Sequence, residues 1–303
     1  MFTSGGARRS DIEGLRVMTV TARQFFSAAS APIDPAEECK FFASLKMRNG
    51  TFKLTRPSRF ADLEAVVGSV IGGRSKSLRQ VLDVGASIGS TTVELAEFLS
   101  ALGASPQVIG TDLFVEAHLV ELAPAFRILS DADGWPLQYD VAGLPVRAWI
   151  RRLDYFTMAI APRLLAVALL RPRLRRMIAE ARTMPVRMAS RALAGRNIEL
   201  VENDILVPTP SFVGRFDFIR AANILNTGYF PADQLNTAIS NIRSYCRGPG
   251  AFVLILRSRG SMHDGTLFEL GAEGGFHVRA RVGAGSEIEP LVLNNEQGAA
   301  GRP

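Results

Sequence analysis

Apolar positions along the chain change period several times, and each change marks an element. Over 58–71 they recur at helical spacing: Phe60, Leu63, Val66, Val67, Val70 and Ile71 share one stripe, Ser58 can cap its start, and Gly72-Gly73 ends it. Short continuous apolar runs follow at 80–84, 108–113, 198–201, 216–222 and 251–256. Such runs read as strands covered on both faces. Helical patterns lie between them at 91–102, in a stretch directly after Asp112, and at 231–247, where Leu235, Ile239, Ile242 and Cys246 line one face between Pro231 and Gly248. The β-α-β order predicts an α/β fold with a doubly wound, mostly parallel Rossmann-like sheet. Residues 266–270 and 276–282 read as two strands around the glycine-rich 271–275, with the apolar 288–293 following. That tail predicts an antiparallel C-terminal edge.

One stretch breaks the alternation. Residues 129–146 read as a hairpin with turns at Asp133-Gly134 and Ala142-Gly143, and 147–196 as arginine-rich helices broken at Pro162, Pro172 and Pro185. Together, 129–196 are expected as an insertion between the second and third core strands, a hairpin and helical lid above the strand carboxyl ends where α/β sheets bind ligands. Residues 1–57 lack firm periodicity and are expected as a peripheral N-terminal segment ahead of a main domain over 58–303. Met18 is an alternative start to Met1.

Composition narrows the class. The 303 residues are 47% hydrophobic and 21% charged, which excludes disorder as the main state. Cys39 and Cys246 are the only cysteines, so a disulfide scaffold is excluded. His118, His263 and His277 sit at no metal-ligand spacing, and no metal is expected. The most apolar stretch, 156–170, contains Arg163 and is too short to span a bilayer, and no apolar segment follows Arg8-Arg9 as in a secretory signal. These features predict a cytoplasmic protein.

Charge is uneven. The chain carries +6 overall, yet 147–196 holds twelve arginines against Asp154 and Glu180, leaving a net negative remainder. A uniformly basic nucleic-acid binder does not look like this. Three readings of the arginine-rich stretch stand: a lid with solvated arginines, a contact with anionic membrane or lipid that would make the protein peripheral to a membrane, and a nucleic-acid contact. No aromatic-rich basic groove supports the last.

The sharpest chemical signal is VLDVGASIGSTT over 81–92: a strand, then Gly85-x-x-x-Gly89, then a helix. Glycines let backbone turn tightly and approach a ligand, and a helix start offers free N–H groups to an anion. A dinucleotide loop wants G-x-G-x-x-G, but Ser87 and Ser90 stand at its second and third glycine positions. Asp83, just before the loop, suits a ligand with an ammonium group, as S-adenosylmethionine has. Asp112 ends the second strand, 27 residues after Gly85, where a carboxylate can accept two ribose hydroxyls. Its other reading is a helix N-cap.

These segments resemble class I S-adenosylmethionine-dependent methyltransferases, and within them the chemotaxis-receptor (CheR-like) glutamate methyltransferases. The resemblance rests on ASIGSTTVELA (86–96), VIGTDLF (108–114) and IELVENDILVPTPSFVGRFDFIRAANIL (198–225). It implies S-adenosylmethionine as cofactor, held by Asp83, Gly85, Ser87, Gly89 and Asp112, with Asp204 on the adenine amino group. Asn223 would lie beside the reactive methyl, with Tyr229 near it and Asp217 as a weaker candidate. The chain departs from the family pattern at Ala222, where an arginine is usual, and at Thr227-Gly228, which delays the aromatic pair Tyr229-Phe230. No Asn/Asp-Pro-Pro-aromatic box follows the fourth strand, which points away from amide or base-amino acceptors and toward a carboxyl or hydroxyl oxygen. The acceptor itself, whether small molecule, lipid or protein, is not specified. Other classes stay open: a catalytically silent S-adenosylmethionine-binding interaction protein, a nicotinamide-dependent oxidoreductase, and a membrane-surface module.

Overall fold

A computed structural model describes residues 20–27, 34–53, 61–149, 160–259 and 262–295. The expected Ser58 cap, Phe60, Met18, Phe156 and the Leu63 and Arg163 side chains lie outside the described residues and side chains. The chain divides into two compact units, one from 1–55 with 114–191 and the other from 56–113 with 192–303.

The second unit is the α/β body. Its strands are β1 (Gln80–Val84), β2 (Gln107–Asp112), β8 (Ile198–Glu202), β9 (Phe218–Ala222), β10 (Phe252–Arg259), β11 (Met262–Leu270) and β12 (Phe276–Val282), with the other five in the first unit. They form one sheet in the order β12-β11-β10-β9-β1-β2-β8. The five strands from β10 to β8 are parallel, with Val81 beside both Val108 and Phe218, while β11 and β12 turn back antiparallel. Alternation divides each strand between two faces. Val81, Val108, Phe218 and Leu254 pack with Val67, Ile71, Leu95 and Leu99 of helices α3 (Ala61–Ile71) and α4 (Ser90–Ala101). Leu82, Ile109, Ile219, Val253 and Ile255 pack with Leu235, Ile239, Ile242 and Tyr245 of α6 (Ala232–Tyr245) and with Val292 of α7 (Glu289–Asn294). The doubly wound sheet with an antiparallel edge is therefore the observed fold. The apolar run over 288–293 enters it as helix α7.

The first unit is a five-stranded antiparallel sheet in the order β6-β5-β4-β3-β7. Its strands are β3 (Glu116–Ala123), β4 (Phe126–Asp131), β5 (Pro136–Val141), β6 (Leu144–Arg147) and β7 (Met184–Arg187). Helices α1 (Ala22–Ser27), α2 (Pro35–Ser44) and α5 (Ile160–Ala179) complete it. The helical stretch expected after Asp112 is instead β3: pairing with both β4 and β7 overrides its ambiguous pattern. The hairpin turns fall as expected, with Ala142 and Gly143 both at positive φ (52° and 84°) between β5 and β6. The helix breaks do not. Helix α5 runs through Pro172, and Pro185 sits in β7, an edge strand where a missing N–H is tolerated. The described part of the N-terminal segment belongs with this unit. Gln138 of β5 accepts the Ala22 N–H at 2.6 Å, and Glu38 accepts from Ser190 Oγ and the Arg191 N–H at 2.6 and 2.9 Å. Phe25 stacks on Phe41 with ring centroids 3.9 Å apart.

Cys246 follows α6 in the α/β core, where burial pushes its thiol up to about 12. At pH 8 its reactive thiolate is then a fraction on the order of 10⁻⁴. A Cys39→Ser variant is expected to show no fast thiol in a native Ellman titration and one thiol in denaturant.

Candidate functional site

The sheet order reverses at β1. From β1 the chain builds outward through β2 to β8, then returns to the other side for β9 and β10. Outside the carboxyl ends of parallel strands, such a reversal leaves the crevice where ligands bind.

The loop after β1 is the centre of this edge. Gly85, Ser87 and Gly89 all lie in the left-handed region, at φ of 78°, 60° and 86°. The Gly85 and Ala86 N–H groups both donate to the Thr111 carbonyl at 2.8 Å. The Ser87 N–H donates to Asp112 Oδ2 at 2.9 Å, so the loop is fastened to the end of β2. Conformation demands glycine at both ends of the loop, and space is also tight there: a Cβ at Gly85 would lie 3.2 Å from Ile224, and one at Gly89 would lie 2.9 Å from the tip of Leu193. Ser87 is held in a conformation that only a well-determined loop retains.

The neighbouring strand ends supply the polar groups. The Asn203 N–H donates to the Asp112 carbonyl at 2.9 Å, which binds the chain beyond β8 to β2 and brings Asp204 to the same end of the sheet. Asp204 Oδ1 accepts the Leu206 N–H at 2.9 Å and shapes the turn there. On the other side of β1, Asn223 follows β9 with φ 62°. Its Oδ1 accepts the Ser258 N–H at 2.6 Å, while its Nδ2 is buried with no hydrogen-bond partner among the described residues. Ser258 Oγ lies 3.0 Å from Nδ1 of His263, its cross-strand partner, so Asn223, Ser258 and His263 form one polar row.

The loop following Asn223 is latched. Thr227 donates to Glu287 Oε1 through its N–H and its hydroxyl, at 2.8 and 3.0 Å, and Arg257 Nη1 meets both Glu287 oxygens at 2.6 Å. Burial raises the Glu287 pKa, but these hydrogen bonds outweigh it and hold the carboxyl below its ordinary value. Tyr229, expected near the methyl, is 59% exposed on this loop.

Asp83 does not face the crevice. It is 1% exposed. Arg220 grips it with Nε to Oδ1 at 2.8 Å and Nη2 to Oδ2 at 2.7 Å, and Thr92 Oγ1 adds a bond at 2.6 Å. Strand alternation turns Asp83 toward α4, so it pairs inside the protein and not with a ligand ammonium. Asp217 is structural too: it accepts the Arg79 and Gln80 N–H groups, both at 2.8 Å, and pairs with Arg247 at the amino end of β9. His118 belongs to the first unit, where its Nδ1 lies 3.0 Å from Thr183 Oγ1. Burial lowers its pKa against the opposing pull of Glu116 and Asp131. Among the described residues no group of three His, Cys, Asp or Glu side chains is placed to hold a metal. Arg220, Ser258 and Glu287 were not anticipated from the sequence.

Removing one member of a buried ion pair strands its partner. Asp83→Ala is expected to cost about 3–5 kcal/mol in urea unfolding, with most of that recovered in Asp83→Val/Arg220→Met. The Glu287 latch carries a pH signature. Because its folded pKa is depressed, its contribution is present above the unfolded carboxylate value and is lost as pH falls through the folded one. Glu287→Gln should therefore show a shallower loss of stability below about pH 4.3 than the parent chain, measured by denaturant midpoints across pH.

No protein-family model matches the chain, and no curated protein does. Solved structures of methyltransferase fold match it weakly. Phosphoethanolamine N-methyltransferase 2 of Haemonchus contortus, in complex with phosphomonomethylethanolamine and S-adenosylhomocysteine, is 15% identical with a TM-score of 0.31 over 65% of this chain and 28% of that one. An O-methyltransferase family protein of Burkholderia thailandensis is 16% identical with a TM-score of 0.32, over 82% of this chain and 48% of that one. A zinc-dependent alcohol dehydrogenase, so described, of Rhodobacter sphaeroides also matches, at 16% identity and a TM-score of 0.27 over 68% of this chain and 57% of that one. The chain thus spans only about a quarter to a half of the two methyltransferases, and likenesses this slight do not bear on function.

Proposed function

We propose that this chain is an S-adenosylmethionine-dependent methyltransferase acting on a carboxyl or hydroxyl oxygen. One observation carries the reading: a loop with three left-handed residues, Gly85, Ser87 and Gly89, is fastened to the Asp112 carboxylate where the sheet order reverses. Asp112 would take the ribose hydroxyls and Asp204 the adenine amino group. The buried Asn223 Nδ2 needs an acceptor, and a donor–acceptor ligand at the end of β9 would supply one. Asp83 supports the loop from beneath and makes no contact with the ligand.

Bound there, S-adenosylmethionine supplies an electrophilic methyl group. The protein's part is alignment of the acceptor oxygen with it, and such positioning is worth up to about 7–11 kcal/mol in favourable cases. Asn223 orients and does not abstract, since an amide is no base. A hydroxyl acceptor must lose a proton, and His263 in the Asn223–Ser258 row is the group available for that. A carboxylate acceptor needs no base. The nicotinamide reading fits less well, because Ser87 and Ser90 stand where a dinucleotide loop needs its second and third glycines.

S-Adenosylhomocysteine should bind in calorimetry. Asp112→Ala, folded by circular dichroism, should weaken it by about 1–3 kcal/mol. Asn223→Ala should lose turnover in an acceptor screen with labelled S-adenosylmethionine while melting nearly normally. Unchanged affinity in the Asp112 variant, or stabilisation by NAD and none by S-adenosylhomocysteine, would sink the reading. Tight binding without transfer to any acceptor would make the chain a silent binder.

A further inference from the structure

We propose that helix α5 docks the protein on an anionic lipid surface. The helix has two faces at about 100° per residue. Leu174 and Met177 are buried in the first unit against Val120, Ile128 and Tyr139, with Leu170 packed beside them. The outward arc carries Leu165, Ala168 and Leu169 and then, further along, Arg173 and Arg176, with Leu164 and Arg175 on its flank, where the Arg175 stem passes the Gly134 turn between β4 and β5; all seven are exposed. The leucines are 54%, 59% and 66% exposed, so three large apolar side chains stand together in solvent. Arg176 pairs with Glu180, whereas Arg173 and Arg175 have no ion pair to a described residue.

This outer arc is divided along the helix axis: apolar first, basic after. From Leu169 to Arg175 the rise is about 9 Å, and an interfacial helix buries its apolar part about 5–10 Å into the headgroup boundary. Tilted with its start downward, α5 puts the leucines below the phosphates while the arginines meet them. Among the described residues no helix is long and apolar enough to cross a membrane, so the contact is peripheral. Other occupants fit less well. A second copy packed through the leucines would leave Arg173 and Arg175 without an anionic match, and nucleic acid gains nothing from the leucines. Docking on lipid requires no methyl donor and stands apart from the proposed reaction.

The test is co-sedimentation of the full chain with vesicles of phosphatidylcholine alone and of phosphatidylcholine mixed with phosphatidylglycerol, at low and high salt. Binding is expected only to the anionic vesicles and should weaken as salt rises. Leu164→Ser/Leu165→Ser/Leu169→Ser should reduce it about tenfold or more with an unchanged melting temperature. Should that variant fail to fold, Arg173→Glu/Arg175→Glu must give a reduction of similar size. Equal binding to both vesicles, or binding to neither, overturns the proposal. So does undiminished binding by the folded leucine variant. Release from vesicles by equimolar duplex DNA would assign the arc to nucleic acid. A dimer in solution that the leucine substitutions dissolve would assign it to a second copy.

Discussion

The ion pair between Asp83 and Arg220 is the constraint on which the α/β body depends. It joins β1 to β9 at directly paired positions, and Arg220 Nη2 also donates to the Thr91 carbonyl at 2.8 Å in the first turn of α4. Two strands and a helix are therefore held to one guanidinium. Charges this deeply buried are retained only when nearly every hydrogen-bonding position is filled, and here Thr92 fills another. The left-handed loop above it spans the few residues from the strand that carries Asp83 to the helix that carries Thr92. Its ends are pinned from below before any ligand arrives.

That support changes what the loop can do. Of the three loop residues at positive φ, Ser87 is the one that is not glycine and so the one that carries strain, which persists only where the surroundings determine the backbone fully. Two fastenings do so here: Asp112 on the Ser87 N–H from the side, and the Asp83–Arg220–Thr92 cluster from beneath. Asn223 is held in the same manner, through Leu256 and Ser258 of the adjacent strand. The backbone at the candidate site is thus fastened at Ser87 and at Asn223. Tyr229 is exposed on the latched loop beyond β9.

Much of this was legible in the chain. Parallel strands buried on both faces announce themselves as continuous apolar runs, and the glycine loop lies between a strand and a helix that both pattern cleanly. The carboxylates were harder. Asp83, Asp112 and Asp217 all occur at strand termini, yet they serve three ends, because the direction of a side chain depends on its parity within the strand and on which terminus it occupies. Arg220 gave a sign that went unread: an arginine in the run FIRAA, otherwise apolar, requires a buried partner. The first unit was read least well. Its segment 116–123 mixes apolar and polar residues at both periods, and only pairing with β4 and β7, the latter some 60 residues away, decides for a strand.

The two units interrupt one another along the chain. The first needs residues up to 187 before its sheet gains β7, and the second needs residues from 218 on before β1 gains its neighbour β9. During synthesis, 56–113 thus emerges with two of the seven strands of its sheet and waits while the following segment completes the other unit. Closing so long a loop costs only slowly growing entropy, but it delays the reward of strand pairing. Until then β1 offers an open edge and Asp83 lacks its counter-ion. The carboxylate that later anchors the body is, in the nascent chain, a solubilising charge near the end of an unpaired apolar strand.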